Sequence, residues 1–194
     1  MEITSAQLKE LRDKTGISVM QCKKALEEAG GDMDKAVIIL KKKRSEAAEK
    51  KSDRELGAGA VGSYIHNTNE VAALVLLACE TDFVSKNVEF VALAKDIAMQ
   101  VAATNPAYIS RDQVPAEVLE KAKEVFRAEV QDKPAEMQEK ILEGKLSSYF
   151  KEQILLEQPF VKNPDTTIGE MITGAVQKFG ENVSVVNISR LSVK

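Results

Sequence analysis

Three short runs with helical spacing of apolar residues open the chain, each preceded by a polar residue suited to cap a helix. Thr4 and Gln7 have the spacing of a capping box, Ser18 repeats the pattern, and Asp32 follows a pair of glycines that ends the second run. Apolar residues that recur every three or four positions are typical of helices that bury one face. Short helices of this kind are buried against one another, so the pattern predicts a three-helix module over residues 1–40.

A charged segment separates this module from the rest of the chain. Lys41–Arg44 are four consecutive basic residues, and mixed charges continue as far as Arg54, with little besides alanine to bury. This composition predicts either a solvated extension of the third helix or a linker over residues 41–54. A basic run is compatible with RNA binding, but the acidic residues that follow it favour a solvated face.

Residues 55–194 begin and end with the patterns of strands. Two apolar runs, Val61–Ile65 and Val71–Cys79, flank a polar segment of hairpin length, and the β-branched segment Val183–Val193 lies at the end. The nine consecutive apolar residues of the second run predict a buried strand. The parity of apolar positions shifts inside the last segment, which predicts a β-bulge or burial on both faces.

Between these strands the apolar spacing is helical. Helices are predicted over Phe90–Val101, from Pro115, over about 135–156, and from the capping pair Thr167 and Glu170 to Gly180. The predicted fold class is therefore α+β, with the three-helix module followed by a core of a three-stranded antiparallel sheet and helices packed on one side of it.

The segment directly after the second strand is the most informative of the chain. Thr81, Asp82, Phe83 and Val84 interrupt the apolar pattern with polar residues around one phenylalanine, which predicts an aromatic ring at a turn that leaves the sheet. An exposed ring on such a turn is suited to enter a partner. Burial as the first core residue of the next helix is the alternative, and it is the commoner position of phenylalanine.

Charge and composition exclude several classes of function. The net charge is −3, and residues 1–54 carry 13 basic and 10 acidic residues, so the remainder is acidic. An acidic body lacks the basic face that nucleic-acid binding requires. No apolar run approaches the roughly 20 residues of a membrane helix, and the first residues do not resemble a leader, so we expect a cytoplasmic protein without a membrane contact.

Few residues are available for an active site. The chain has one histidine, no tryptophan and no glycine-rich phosphate-binding motif, and its two cysteines are far apart, so they are expected to be reduced and buried. Cys79 and His66 are the one nucleophile pair to consider, and burial in an apolar run makes a cysteine a poor nucleophile. We therefore expect no catalytic residue, no metal ligand and no cofactor.

Several segments share their residues and their order with one known family. They are Leu11-Arg12 with Thr15-Gly16, Met20–Leu26, Gly62–His66, Thr81–Val84, Gln158–Val161 and Gly180–Asn182. In this order they resemble the family of translation elongation factor Ts, over nearly the whole chain. The resemblance implies a guanine nucleotide exchange factor for the GTPase elongation factor Tu, without covalent chemistry of its own and with an N-terminal module similar to ubiquitin-associated domains.

The resemblance also implies which residues bind the partner. The exchange tip would be Thr81, Asp82, Phe83 and Val84, with Asp82 and Phe83 entering near the magnesium and phosphate site of the GTPase domain. The N-terminal module would rest on an outer helix of that domain through Arg12, Val19, Met20 and Lys23. Further core contacts would be His66, Val161, Phe179 and Gly180, of which Val161 would reach another domain of the partner.

Short members of this family are expected to pair as homodimers. The last strand lacks the cysteine that some short members have there, so a dimer of this chain is expected to be noncovalent. Val19 stands where many members have a methionine. Valine is the smaller side chain and provides a smaller contact. Two other functions remain open from the residues alone: an interaction adaptor without an exchange tip, and a thiol hydrolase that uses Cys79 and His66.

Overall fold

The structure, a computed structural model, describes residues 3–131 and 134–193. Its elements are α1 (Ser5–Thr15), α2 (Val19–Glu28), α3 (Met33–Glu49), β1 (Ala58–Ile65), β2 (Val71–Cys79), α4 (Asp82–Ser85), α5 (Val88–Thr104), α6 (Ala116–Val130), α7 (Ala135–Gln153), β3 (Pro159–Phe160), β4 (Asn163–Thr167), α8 (Ile168–Phe179) and β5 (Val183–Ser192). Strands β1, β2 and β5 form a three-stranded antiparallel sheet. This architecture confirms the predicted α+β class.

Two compact units divide the chain. The first contains the residues up to Glu55 together with Thr173–Asn182, and the second contains Leu56–Ile172 and the residues from Val183 onward. Helix α8 begins in the second unit and ends in the first. The grouping of the end of α8 with the N-terminal helices has no signal in the sequence, and the domain boundaries at residues 40 and 54 stay predictions.

In the first unit, the predicted caps begin the helices. The Thr4 hydroxyl accepts a hydrogen bond from the backbone N–H of Gln7, whose side chain accepts one from the Thr4 N–H. Ser18 and Asp32 accept hydrogen bonds in the same way at the starts of α2 and α3. The core of the unit consists of Leu11, Ile17, Cys22, Ala25, Leu26, Ala36 and Leu40.

The charged segment after residue 40 is largely helical, because α3 continues to Glu49. Within the first unit, the Arg44 Nε donates to the Gln177 side chain at 3.1 Å. The Asn182 amide donates to the backbone carbonyl of Ser52 at 3.2 Å. Hydrogen bonds therefore connect α3 and the turn after it to the end of α8.

The sheet has the order β1-β2-β5, with the longest strands at its centre and one edge. The register places Gly62 opposite Val75. It shifts between Leu76 and Leu77, where β5 contains Val186 as an extra residue. This irregularity confirms the β-bulge predicted from the shift of apolar parity.

Helix α5 packs on one face of the sheet, and its approach depends on a glycine. A Cβ atom on Gly62 would lie 2.1 Å from the backbone oxygen of Ala94, closer than any side chain tolerates. Glycine therefore allows the backbone of α5 to approach β1 directly. The apolar side chains buried at this contact include Val75 and Leu77 of the sheet and Phe90, Ala94, Ile97 and Val101 of the helix.

The opposite face of the sheet is open. Its exposed apolar side chains are Val61, Ile65, Leu74, Leu76 and Leu191. The prediction that Val71–Cys79 is a buried strand is therefore wrong for one of its two faces. Alternate residues of a strand point to opposite faces, and α5 covers only the face that carries Val75 and Leu77.

One feature of the second unit was not predicted. Strands β3 and β4 form a two-stranded hairpin, in which Phe160 pairs with Asn163 across a two-residue turn. A strand of two residues is too short to show a period in the sequence, which explains why the hairpin was missed. Among the described residues, no helix is long and apolar enough to cross a membrane.

Candidate partner-binding site

The segment after β2 forms a single helical turn, α4. Its two adjacent apolar side chains lie in different environments. Phe83 is 82% exposed, whereas Val84 is only 4% exposed. Burial of Val84 holds α4 against the unit, and the ring of Phe83 points to solvent. The alternative in which Phe83 is a core residue is therefore wrong.

The backbone of the turn is closed by hydrogen bonds at both ends. The N–H groups of Ser85 and Lys86 donate to the carbonyls of Thr81 and Asp82, each at 3.2 Å. The side chain of Asn87 then accepts from the N–H of Glu89 at 2.9 Å and caps α5. A turn held between a sheet strand and a capped helix presents the Phe83 ring on a rigid support.

Asp82 lies beside the ring as an exposed carboxylate. Its Oδ2 accepts a hydrogen bond from the Lys86 ammonium at 2.6 Å. This hydrogen bond and the charge of Lys86 hold the pKa of Asp82 below its ordinary value of 3.8. Both side chains are 75% exposed, and exposed ion pairs are weak, so the carboxylate can exchange Lys86 for a group of a partner.

Two exposed valines extend the apolar surface beyond the predicted tip. Val88 and Val91 lie on the first turn of α5 and face solvent. Their spacing of three residues places them on one side of the helix. A sequence signal for both valines exists, because neither belongs to the buried stripe that contains Phe90, Ala94 and Ile97.

The four predicted contacts of the N-terminal module are on the surface of the first unit. Val19, Met20 and Lys23 are exposed on α2 and share one side of it, while Arg12 is exposed on α1. Lys23 lies 3.9 Å from Glu27 in an exposed ion pair. The buried residues of α2, such as Cys22, face the unit's own core, so the exposed side of the helix is available to a partner.

His66 is exposed at the turn between β1 and β2. Its Nδ1 lies 3.2 Å from the hydroxyl oxygen of Tyr64. Because Cys79 pairs with Ala58, the end of β2 that leads to Phe83 lies at the far end of the hairpin from His66. The fold therefore does not bring His66 and the tip together, and the two can meet only separate parts of a partner.

The same register excludes a nucleophile pair of Cys79 and His66. The two residues are separated by about eight strand positions of ~3.3 Å each, or roughly 26 Å. Cys79 is fully buried, and its Sγ donates to the carbonyl of Thr81. The thiol hydrolase hypothesis is therefore wrong. Both cysteines are reduced and buried, as predicted.

The remaining predicted contacts lie at two turns. Val161 is half-exposed at the turn between β3 and β4. In the first unit, Gly180 follows α8 with a φ of 75°, a left-handed conformation that favours glycine, and Phe179 before it is partly buried. Among the described residues, no group of three His, Cys, Asp and Glu side chains is arranged to hold a metal ion.

Comparison with known proteins identifies the family. A family model described as elongation factor TS matches residues 48–194. The chain is 50% identical over its whole length to the elongation factor Ts of Thermodesulfovibrio yellowstonii and covers 97% of that protein. The chain belongs to the elongation factor Ts family. Over 193 residues it is 49% identical to the elongation factor Ts of Carboxydothermus hydrogenoformans, a match that includes 98% of this chain and 89% of that relative.

Membership of the elongation factor Ts family confirms the resemblance seen in the sequence and makes the chain a translation elongation factor. The elongation factor Ts of Thermotoga petrophila also aligns over 100% of this chain and 97% of its own length, with 45% identity. The family model includes the Phe83 tip, His66, Val161 and the end of α8. The exposed residues of α1 and α2 lie before the region that the family model matches. The alignments with these relatives include them.

Proposed function

We propose that the chain is a guanine nucleotide exchange factor of translation elongation, which acts on the GTPase elongation factor Tu in the cytoplasm. Its family supports the assignment. The observation that carries the mechanism is the Phe83 ring, which is exposed on a turn that is anchored by buried Val84. No covalent chemistry is required of an exchange factor, because it acts by altering the contacts that hold the nucleotide in its partner.

In this mechanism Asp82 and Phe83 enter the partner near its magnesium and phosphate site, while Thr81 and buried Val84 hold the turn that carries them. A GTPase holds GDP through charge-assisted contacts to phosphate and Mg²⁺, and a wedge that displaces these contacts releases the nucleotide. Phe83 supplies the shape and excludes water, while Asp82 adds a negative charge near the metal. Accelerating release by several powers of ten corresponds to roughly 5–7 kcal/mol, within reach of an aromatic anchor and its surrounding interface.

The exchange is reversible, because the coupling between two ligands of one protein is reciprocal. If the chain weakens the binding of GDP to its partner, GDP weakens the binding of the chain by the same factor. Rebinding of a nucleotide therefore releases the factor for another cycle.

The remaining contacts position the tip. We propose that the module of residues 1–40 docks on an outer helix of the GTPase domain through Arg12, Val19, Met20 and Lys23. His66, Phe179 and Gly180 add contacts to the partner, and Val161 reaches another of its domains. Because these residues lie on several elements, the interface is extended, and each contact outside the tip is expected to affect affinity more than the rate of release.

We further propose that two copies of the chain pair noncovalently through the open face of the sheet. Val61, Ile65, Leu74, Leu76 and Leu191 form an exposed apolar surface. A contiguous apolar surface is typical of an interface between proteins. Both cysteines are buried, so neither is available to link the copies. A second copy fits this surface, because the same face on both copies matches the two-fold symmetry of a homodimer.

The experiment that tests the exchange function is the release of fluorescent GDP from purified elongation factor Tu. The unaltered chain is expected to accelerate release, and Phe83→Ala is expected to remove most of the acceleration without lowering the melting temperature. Val125→Ala is the matched control, because Val125 is also an exposed apolar residue but lies on α6.

Two results would contradict the proposal. A lack of acceleration by the unaltered chain at any concentration would exclude the exchange function and favour an interaction adaptor. Equal losses of activity in Phe83→Ala and Val125→Ala would show that the tip has no special role.

A further inference from the structure

Helix α5 buries one amide side chain, that of Gln100, which is 0% exposed. Its buried neighbours on the helix, Ile97, Ala98 and Val101, are apolar and pack in the core. An amide removed from water is unfavourable unless its donors and acceptor find partners. The partners of Gln100 therefore indicate what this side chain holds in place.

All the side-chain hydrogen bonds of Gln100 go to one short segment around β3. The Oε1 accepts from the backbone N–H of Val161 at 2.9 Å. The Nε2 donates to the Gln158 Oε1 at 3.0 Å and to the Pro159 carbonyl at 3.2 Å. Both amide hydrogens and the carbonyl oxygen are thus used, and they connect α5 to the turn that presents Val161.

Gln158 extends this connection to a third element. It is also buried, and its Nε2 donates to the carbonyl of Glu152 in the last turn of α7. Its Oε1 lies 2.8 Å from the Thr104 hydroxyl at the end of α5. The start of the β3–β4 hairpin is therefore held between α5 and α7 by buried polar groups.

A second tether holds the same turn from the surface. The Lys162 ammonium lies 2.6 Å from a carboxylate oxygen of Asp96. Asp96 is one helical turn before Gln100, so two successive turns of α5 hold two successive residues of the hairpin. In contrast, the Val161 side chain is 44% exposed. Its backbone is fixed while its side chain remains available for contact.

We propose that Gln100 is a positioning residue for partner binding, which fixes the backbone of Val161 and so presents its side chain to the partner. This inference rests on the proposed function, in which Val161 is a partner contact. A contact that is ordered before association does not lose conformational freedom on binding. Without Gln100, the turn has to be ordered by the partner, so affinity falls. The maximal rate of nucleotide release is unaffected, because it depends on the Phe83 tip.

The test compares Gln100→Met with Val161→Ala in GDP release from elongation factor Tu. Methionine keeps the length of the side chain beside a cavity of 680 Å³ that Gln100 and Val161 both line, and it removes all three hydrogen bonds. Gln100→Met is expected to raise the concentration for half-maximal release about tenfold, with the maximal rate within about twofold of the unaltered chain. Lys95→Met, at an exposed position of α5 outside these hydrogen bonds, is the control and should change neither value.

The double variant separates positioning from general support of the fold. If Gln100 acts through the Val161 side chain, Gln100→Met has little further effect once Val161 is alanine. If the two substitutions raise the half-maximal concentration by factors that multiply in the double variant, Gln100 does not act through Val161 and the role is overturned. A fall in the maximal rate of Gln100→Met would also overturn it. Amide hydrogen exchange provides a second readout: the Val161 N–H is expected to exchange faster in Gln100→Met, and unchanged protection would also overturn it.

A milder variant covers the case in which Gln100→Met does not fold. Asp96→Asn weakens the surface tether of the same turn and should raise the half-maximal concentration about twofold, but not when Val161 is alanine. An equal rise in both backgrounds would overturn the role. If the unaltered chain does not accelerate release, the proposed function is wrong. If it accelerates release but the effects of Gln100 and Val161 are independent, only the positioning role is wrong.

Discussion

The two faces of the three-stranded sheet both carry apolar side chains, yet one face is covered and the other is exposed. On one face, Val75 and Leu77 are buried under α5. On the other, Leu74 and Leu76, their immediate neighbours along β2, are exposed. The apolar character of a strand therefore does not determine its burial, and a side chain left uncovered is available for association.

The same contrast occurs within the single turn of α4. Val84 is buried and Phe83 is exposed, although the two residues are adjacent. A buried side chain contributes to the stability of its own fold, whereas an exposed aromatic ring contributes little to it. We therefore expect substitutions on the covered side to change stability and substitutions on the exposed side to change association.

The largest effect is expected on the covered face, from Gly62→Ala. The added Cβ would lie 2.1 Å from the backbone oxygen of Ala94, so β1 and α5 would have to separate. We expect the free energy of unfolding to fall by about 3 kcal/mol, measured by urea denaturation. Gly144→Ala on α7 is the control, since nothing lies within 4 Å of the added carbon, and it should be neutral or slightly stabilising. Equal stability of the two variants would show that the covered face is loosely packed.

The next largest effect is expected on α4, where Phe83→Ala is compared with Val84→Ala. Phe83→Ala is expected to reduce the acceleration of GDP release about 100-fold. Its free energy of unfolding should stay within about 0.5 kcal/mol of that of the unaltered chain, because the exposed ring is expected to contact only a partner. Val84→Ala is expected to lower the free energy of unfolding by about 2 kcal/mol, because it leaves a cavity under α4. Calorimetry and the release assay on both variants check the pair, and a large loss of stability in Phe83→Ala would contradict it.

A smaller effect is expected on the open face, from Leu74→Lys. A charge at this surface should weaken the proposed homodimer at least tenfold, about 1.4 kcal/mol, while the single copy stays folded because the side chain already faces water. Sedimentation equilibrium measures the association. Val125→Lys on α6 is the matched control and should leave it unchanged. Dimers of equal strength in both variants would show that the copies do not pair through this face.

The smallest effect concerns the charge of Asp82. Its pKa is held below 3.8, first by the hydrogen bond from Lys86. Lys86→Ala should therefore raise this pKa toward 3.8, as measured by NMR titration of the carboxyl carbon. Because the pKa is lowered by folding, the stabilisation by this pair is present above the unfolded pKa and is lost as the pH falls through the folded one. At neutral pH the carboxylate is charged in both proteins, and an unchanged titration would show that Lys86 does not hold it.

Local features of the fold could be predicted from the sequence. The capping residues Thr4, Ser18 and Asp32, the position of the bulge in β5 and the turn after β2 all depend on residues close together in the chain. The helical spacing of α2 likewise predicted Cys22 and Leu26 in its buried face, whereas its partner contacts were implied by the family resemblance. These features are determined by backbone hydrogen bonds and by the period of a helix or a strand, which a few consecutive residues reveal.

The packing of distant elements determines which apolar surfaces are covered and which polar groups form hydrogen bonds. The sequence placed Phe83 at a turn, but whether its ring faces the core depended on how α4 packs. It contained Gln100 and Gln158, but their hydrogen bond joins residues 58 positions apart, and no local pattern indicates it. The open face of the sheet likewise depends on where α5 lies. Contacts between distant parts of the chain depend on how the elements pack, and the period of one element carries no information about its neighbour.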